Sequence, residues 1–361
     1  QGQSIELRVY FYKRLMHSFN YKIVIFLMGV LLLFNGCLML ISSLVSFFYK
    51  DGVTFEITLS SFLVLSLGAL LMLFGRQYDK QIQKREGYVI VTLGWMMMTI
   101  SGMLPFVFTN SMVDISSTFF ETMSGYTATG ATILQDIESL PLGILFWRSM
   151  THWIGGMGII VLAVAILPLL GIGGIQLFSA EAPGPNNDKL HPRITDTAKR
   201  LWLIYVSFTF LEAILLSFAG MSIFDAVNHA MSTMASGGFS TKNNSLAYWN
   251  HLPLVHYIII LFMFLAGSNF VLSYFALTGK FKKVLGDNEF VTFLAFVLIF
   301  SFIVFTVIYT SVDLNNSYFD FPQIFGKLEG SIRHSLFQVL AIITTTGFVT
   351  SDYTAWTPFL T

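Results

Sequence analysis

The sequence predicts an all-α integral membrane protein built from repeated units, each a span, a re-entrant loop and a second span, preceded by an extra two-helix hairpin. Three observations carry this expectation. The 361 residues are 55% hydrophobic and only 11% charged, where soluble domains carry about 25% charged residues; mean hydropathy is +0.70. Several apolar runs reach the roughly 20 residues that a helix needs to cross a bilayer. One phrase also recurs at a nearly constant interval: Thr127-Ala-Thr-Gly130-Ala, Ala235-Ser-Gly-Gly238-Phe and Thr344-Thr-Thr-Gly347-Phe, with glycines 108 and 109 residues apart. A fixed period marks a duplicated structural unit.

The elements follow in order. Spans are expected at about 22–48 and 54–75, forming a hairpin within residues 1–86 that carries no copy of the phrase. Unit one, 87–199, has spans at 87–109 and 142–175; unit two, 200–288, has spans at 200–220 and 253–278; unit three, 289–361, has a span at 290–312 and the start of another near Trp356. Each phrase follows a stretch too short to span, at Ile115–Tyr126, Phe224–Met234 and Arg333–Ile343. Such stretches read as helices that dip into the membrane and return as extended backbone, which is tolerated only when buried in protein or lining water.

Sidedness comes from the basic residues, which favour cytoplasmic loops. Fifteen of the 20 alternate onto one side: Arg8, Lys13, Arg14 and Lys22; Arg76, Lys80, Lys84 and Arg85; Lys189, Arg193, Lys199 and Arg200; Lys280, Lys282 and Lys283. Lys50, Lys242, Lys327 and Arg333 fall opposite, and Arg148 lies within a span. All three phrases then sit on the outer side. Glycine reaches backbone angles that aim successive carbonyls at one point, and a ring of carbonyls can replace the hydration shell of an alkali cation. The ion contacts expected are the carbonyls of Ala128, Thr129 and Gly130, of Ser236, Gly237 and Gly238, and of Thr345, Thr346 and Gly347.

Other polar residues take quieter readings. Asp114, Asp136, Glu138, Asp225, Asp313, Asp320, Glu329 and Asp352 read as outer-loop charge, with a cation-concentrating vestibule as the alternative. Arg148, His152, Glu212, Glu121, His229 and His334 lie where charge is costly. They read first as anchors of the re-entrant helices, with Glu212 paired to a histidine or Arg148. Gly155-Gly-Met-Gly158 and Gly171-Ile-Gly-Gly174 lack the context of a phosphate loop and read as close helix packing. Gly267-Ser-Asn-Phe270 interrupts a span beneath the phrases, and Cys37 reads as a small buried hydrophobe. No histidine spacing suits zinc and no catalytic constellation stands out, which leaves an intramembrane enzyme the weakest reading. No basic tract suits nucleic acid.

On these motifs, together with Phe120-Glu-Thr-Met-Ser-Gly-Tyr126 leading into the first phrase, His152-Trp-Ile-Gly-Gly-Met-Gly158, His229-Ala-Met-Ser-Thr-Met234 and the order of all of them, the chain resembles the TrkH/KtrB family of bacterial potassium transporters. The leading hairpin is closer to the TrkH branch. The resemblance implies four units around a pseudo-fourfold pore, potassium ions in the filter without a covalently bound cofactor, and a multi-pass homodimer in the bilayer of the bacterial cytoplasmic (inner) membrane. It also implies a cytoplasmic nucleotide-binding ring protein of the TrkA kind as partner, for which the 176–200 segment is the expected contact loop. Glycine at all three visible phrase positions fits potassium better than sodium under that resemblance. The fourth unit is absent from the given residues, and the sequence reads as part of a longer chain. The alternatives are the pore subunit of a potassium-pumping P-type ATPase and a relative permeable to both sodium and potassium.

Overall fold

The computed structural model describes residues 19–76, 84–112, 114–158, 194–311, 326–353 and 356. Among them every regular element is a helix. The leading hairpin is α1 (Tyr21–Tyr49) and α2 (Thr54–Gly75), whose backbones approach through glycines. A Cβ on Gly29 would lie 2.6 Å from the Met72 amide nitrogen, and one on Gly75 would lie 2.6 Å from that of Phe26. Lipid supplies no hydrophobic drive between helices, so small residues and close van der Waals contact do the work. The outer face of α2 exposes Phe55, Phe62, Leu70 and Phe74. Cys37 is exposed on α1 rather than buried, because the buried stripe of α1 runs through its neighbours Gly36 and Leu38.

Unit one opens with α3 (Lys84–Gly102), continued after a break by the short α4 (Leu104–Phe108) with Pro105 in its first turn. The re-entrant helix α5 (Ile115–Tyr126) and then α6 (Leu142–Gly156) follow. Unit two contains α7 (Ile194–Phe218), the re-entrant α8 (Ile223–Met234), a 3₁₀ turn at Ser245–Trp249, and α9 (Pro253–Gly267). Two short helices, α10 (Phe270–Leu277) and α11 (Phe281–Leu285), lead to unit three, with α12 (Asn288–Ser311) and the re-entrant α13 (Gly326–Ile343).

Among the described residues, five helices are long and apolar enough to cross a membrane, at Tyr21–Tyr49, Thr54–Gly75, Arg85–Phe108, Lys199–Phe218 and Asn288–Thr310. The expected span 253–278 is not one straight helix: α9 and α10 meet at 110°. Apolarity alone hides such a break, whereas Gly267-Ser-Asn269 marks it. The third re-entrant helix starts at Gly326 rather than Arg333, so Glu329, expected in an outer loop, lies in its first turn, and Arg333 is a buried residue within it. The remainder of the expected span 142–175, the cluster Gly171–Gly174, most of the 176–200 segment, Asp313, Asp320 and the span expected near Trp356 lie outside the described residues, apart from Trp356 itself.

The helices interlock in a repeating way. α6 packs on its own re-entrant helix α5 and on the next one, α8; α9 packs on α8 and on α13. In units one and two, the helix that follows the phrase is therefore a wedge between two re-entrant helices.

Candidate functional site

The site begins where the three re-entrant helices end. Asp114 caps α5, accepting from the Ser117 amide at 2.6 Å, which holds its carboxyl below the ordinary value. Ser222 caps α8, and its hydroxyl accepts from the Asp225 amide at 3.0 Å. Side-chain caps of this kind satisfy amides that lack helical partners. None of the three helices carries a basic residue in its last turn. Their carbonyl ends, which bear partial negative charge, therefore converge uncompensated, a favourable setting for a cation.

The first two helices then stop in the same way. The Ala128 amide donates to Gly125 O and that of Thr129 to Ser124 O; Ser236 donates to Thr233 O and Gly237 to Ser232 O. This is the Schellman arrangement, which places the residue after the cap in the left-handed region. In unit three Thr345 donates to Ile342 O, and Gly347 rather than Thr346 reaches Ala341 O. The left-handed residues are Ala128 (φ 51), Ser236 (φ 53) and Thr345 (φ 58), none of them glycine. Each conformation costs on the order of 1–2 kcal/mol, and for β-branched Thr345 it is a marked outlier.

Two residues on, φ is positive again at Gly130 (75°), Gly238 (80°) and Gly347 (73°). All three phrases thus have positive φ at the first and third residues of the expected ion-contact triplet, and not at the second. Inverting alternate residues turns alternate peptide planes over, the backbone habit that can bring successive carbonyls to one side of a strand.

The three strands meet. A Cβ on Gly130 would overlap the carbonyl oxygen of Gly237, and a Cβ on Gly238 would overlap that of Thr346. One strand's glycine therefore lies against the next strand's preceding carbonyl, twice in succession. At Gly347 a Cβ would meet nothing within 4 Å. Glycine is required at 130 and 238 for close approach as well as for φ, whereas the left-handed residues before them have room for side chains.

Buried polar groups hold the strands from behind. Glu121 on α5 accepts from the Thr132 hydroxyl at 2.8 Å and from the Ile133 amide at 3.1 Å, past the first strand. At the corresponding place on α8, His229 Nε2 is hydrogen-bonded to the Ser240 hydroxyl at 2.9 Å and Nδ1 to Asp225 O at 2.8 Å. On α13, His334 Nδ1 meets the Thr350 hydroxyl at 2.8 Å. These three residues are anchors, as expected from their positions. Among the described residues, the expected pairing of Glu212 with a histidine or Arg148 does not occur. Arg148 Nε donates to Glu121 at 2.7 Å instead, while Glu212 is buried on α7. Sequence carries no through-space distance, and the helix wedge brings α6 to α5.

Arg148 also reaches the next unit. Its Nη1 donates to Ser240 O at 3.1 Å, and its guanidinium lies 3.5 Å from the centroid of the Phe239 ring. His152, one turn along α6, stacks on the same ring with centroids 3.7 Å apart. A Cβ on Gly237 would collide with the His152 imidazole. The second phrase therefore needs Gly at 237, where the others have Thr129 and Thr346. Further packing glycines behave as expected from the Gly155–Gly158 cluster: a Cβ on Gly156 would sit 2.5 Å from Ala235 Cα.

The outer acids are not all free charge. Glu138 pairs with Lys242 at 3.2 Å, and Asp136 accepts from Asn243 Nδ2 at 3.1 Å, a bond that holds its carboxyl below the ordinary value. Asn243 Oδ1 in turn accepts from the Ile137 amide at 2.6 Å. Glu329 accepts from Arg333 Nε at 2.8 Å. Units two and three are joined by the Ala247 amide donating to Val349 O at 3.1 Å and by Asn250 Nδ2 donating to Thr350 O at 3.1 Å.

The leading hairpin also touches this assembly, which its lack of a phrase did not suggest. Asn35 on α1 accepts from the Tyr126 hydroxyl at 2.7 Å and donates to Ser101 at 2.8 Å, so it holds the last residue of α5. Asp51 accepts from the Gly143 amide at 2.6 Å. A lone buried asparagine within an apolar span was the available signal. Beneath the third strand, a Cβ on Gly267 would lie 2.5 Å from Thr344 Cγ2, so the α9–α10 break abuts that strand's base.

Residues 53–361 match the family described as TrkH, cation transport protein. The chain is 40% identical over 344 residues to the Trk system potassium uptake protein TrkH of Escherichia coli K12, covering 94% of this chain and 69% of that protein. It is 38% identical over 346 residues to the protein of the same name from Vibrio parahaemolyticus, with the same coverage. The crystal structure of the potassium transporter TrkH from Vibrio parahaemolyticus superposes with a TM-score of 0.79 at 34% identity, over 94% of this chain and 68% of that one.

Proposed function

The chain belongs to the TrkH cation transport family, and from that membership we propose that it serves potassium uptake across the bacterial cytoplasmic membrane, with the three glycine strands as its selectivity filter. The observation that carries this reading is the backbone pattern. Positive φ recurs at the first and third residues of all three triplets, on strands that lean on one another glycine to carbonyl. Carbonyls of Ala128, Thr129 and Gly130, of Ser236, Gly237 and Gly238, and of Thr345, Thr346 and Gly347 would take the place of water around a potassium ion. The helix carbonyl ends favour a cation there, and the ion moves down its electrochemical gradient without covalent chemistry.

The same reading includes a homodimer and a cytoplasmic TrkA-type nucleotide-binding ring that gates the pore, with the 176–200 segment as its contact. A pump subunit of the P-type ATPase kind is the competing architecture, and the identity of the copurifying subunit separates the two.

The test is Gly238→Ser in reconstituted protein, with rubidium and sodium flux compared. A side chain at 238 must displace the Thr346 carbonyl, so the rubidium-to-sodium ratio should fall at least tenfold. A wild-type protein that passes sodium as readily as rubidium would overturn potassium preference. An unchanged ratio in the variant would remove the glycine strands as the filter.

A further inference from the structure

The side that the basic residues assign to the cytoplasm carries a rim unlike a plain connector. α9 ends at Gly267 and the chain turns through 110° into α10. With α9 standing across the bilayer, α10 runs near the membrane plane. Gly279, at φ 74°, reverses the chain into α11.

Two kinds of side chain share this stretch. Leu277, Phe281 and Leu285 are 64%, 61% and 66% exposed. Lys280, Lys282 and Lys283 stand among them, all exposed. Arg200 Nη1 donates to the Tyr274 hydroxyl at 3.1 Å, which fixes the start of α7, with Lys199 and Arg200, beside α10. Five cations therefore occupy one rim.

Against these five cations stand Asp196 on α7 and Asp287 and Glu289 after α11, which leaves the stretch net positive. Asp287 is engaged in accepting from the Phe290 amide at 3.0 Å, and Glu289 borders the cavity below Gly267. The Lys283 ammonium lies 5.0 Å from the centroid of the Phe275 ring, at the level of the apolar side chains. Among the described residues, none of the three lysines has an ion pair.

We propose that this rim binds the headgroups of anionic phospholipids of the inner leaflet, with acyl chains against Leu277, Phe281 and Leu285. Lysines near an anionic leaflet and apolar side chains at the acyl boundary are the two contributions that hold an in-plane segment to such a surface. A soluble acidic partner would satisfy the lysines but leave the three large apolar side chains in water. Lipid satisfies both.

The experiment uses the purified chain in nanodiscs and compares the motionally restricted fractions of spin-labelled phosphatidylglycerol and spin-labelled phosphatidylcholine. The expected result is a phosphatidylglycerol preference that drops severalfold in Lys280→Gln/Lys282→Gln/Lys283→Gln, since each lysine near the surface contributes up to about fivefold. Lys242→Gln, on the opposite side, should leave the preference intact. No preference in the wild type, an equal preference in the triple variant, or an equal loss in Lys242→Gln would each overturn the proposal. So would a triple variant that alters oligomeric state at unchanged lipid preference, which would make this face an interface between copies. The readout is independent of ion conduction.

Discussion

At the scale of single residues, the three phrases look interchangeable in sequence but are not interchangeable in space. Gly237 exists because the His152 ring occupies the place of its Cβ, and that ring also stacks on Phe239. His152→Ala should therefore loosen strand two and lower the rubidium-to-sodium flux ratio, while His152→Phe, which keeps a flat ring, should restore most of it. Equal ratios for Ala and Phe variants would deny the ring that role. Arg148→Gln should cost on the order of 3–5 kcal/mol in unfolding experiments, because it strands the Glu121 carboxylate in a buried setting. Glu121→Gln/Arg148→Met should recover much of that loss. The glycines of the phrases were legible from period and residue type alone. The Arg148–Glu121 pair and the Asn35–Tyr126 bond were not, since they join residues 27 and 91 positions apart whose proximity is decided by helix packing.

At the scale of elements, caps and breaks carry the local information. Ser222 both caps α8 and donates to Asp225 at 2.7 Å, so Ser222→Ala should destabilise the protein by about 1 kcal/mol, measurable by thermal unfolding in detergent. The first two re-entrant helices were readable because they are amphipathic and, at 12 residues each, too short to span; the third runs to 18 residues, and its charged first half hid its start. The α9–α10 bend was partly readable: Gly267-Ser-Asn269 announced an interruption, but composition could not distinguish a dent from a turn of 110°. Gly267→Val should push against Thr344 and reduce rubidium uptake, whereas Gly279→Ala, open to space but strained by its positive φ, should lower stability by about 1 kcal/mol and leave uptake per folded molecule nearly unchanged. Equal uptake in the two variants would disconnect the bend from the third strand.

At the scale of the whole molecule, the charge count gives the most direct prediction. With Cys37 replaced, Asn244→Cys should react with an impermeant thiol reagent added outside intact cells and Lys282→Cys should not. The reverse pattern would invert the topology and place the phrases inside. The all-helical membrane class was readable because lipid imposes it on composition; the joints between units were not, because a clip such as Asn243 on Asp136 and Ile137 uses ordinary loop residues. The glycine-on-carbonyl seam has a consequence for how the protein is made. Gly130 leans on a carbonyl from unit two and Gly238 on one from unit three, so every contact points toward a segment not yet translated. At ribosomal rates of about 5–20 residues per second, each strand waits on the order of ten seconds for its neighbour. During that interval its polar backbone stands in the translocon or bilayer without its final partner, and the nascent protein is most open to chaperones and quality-control proteases then.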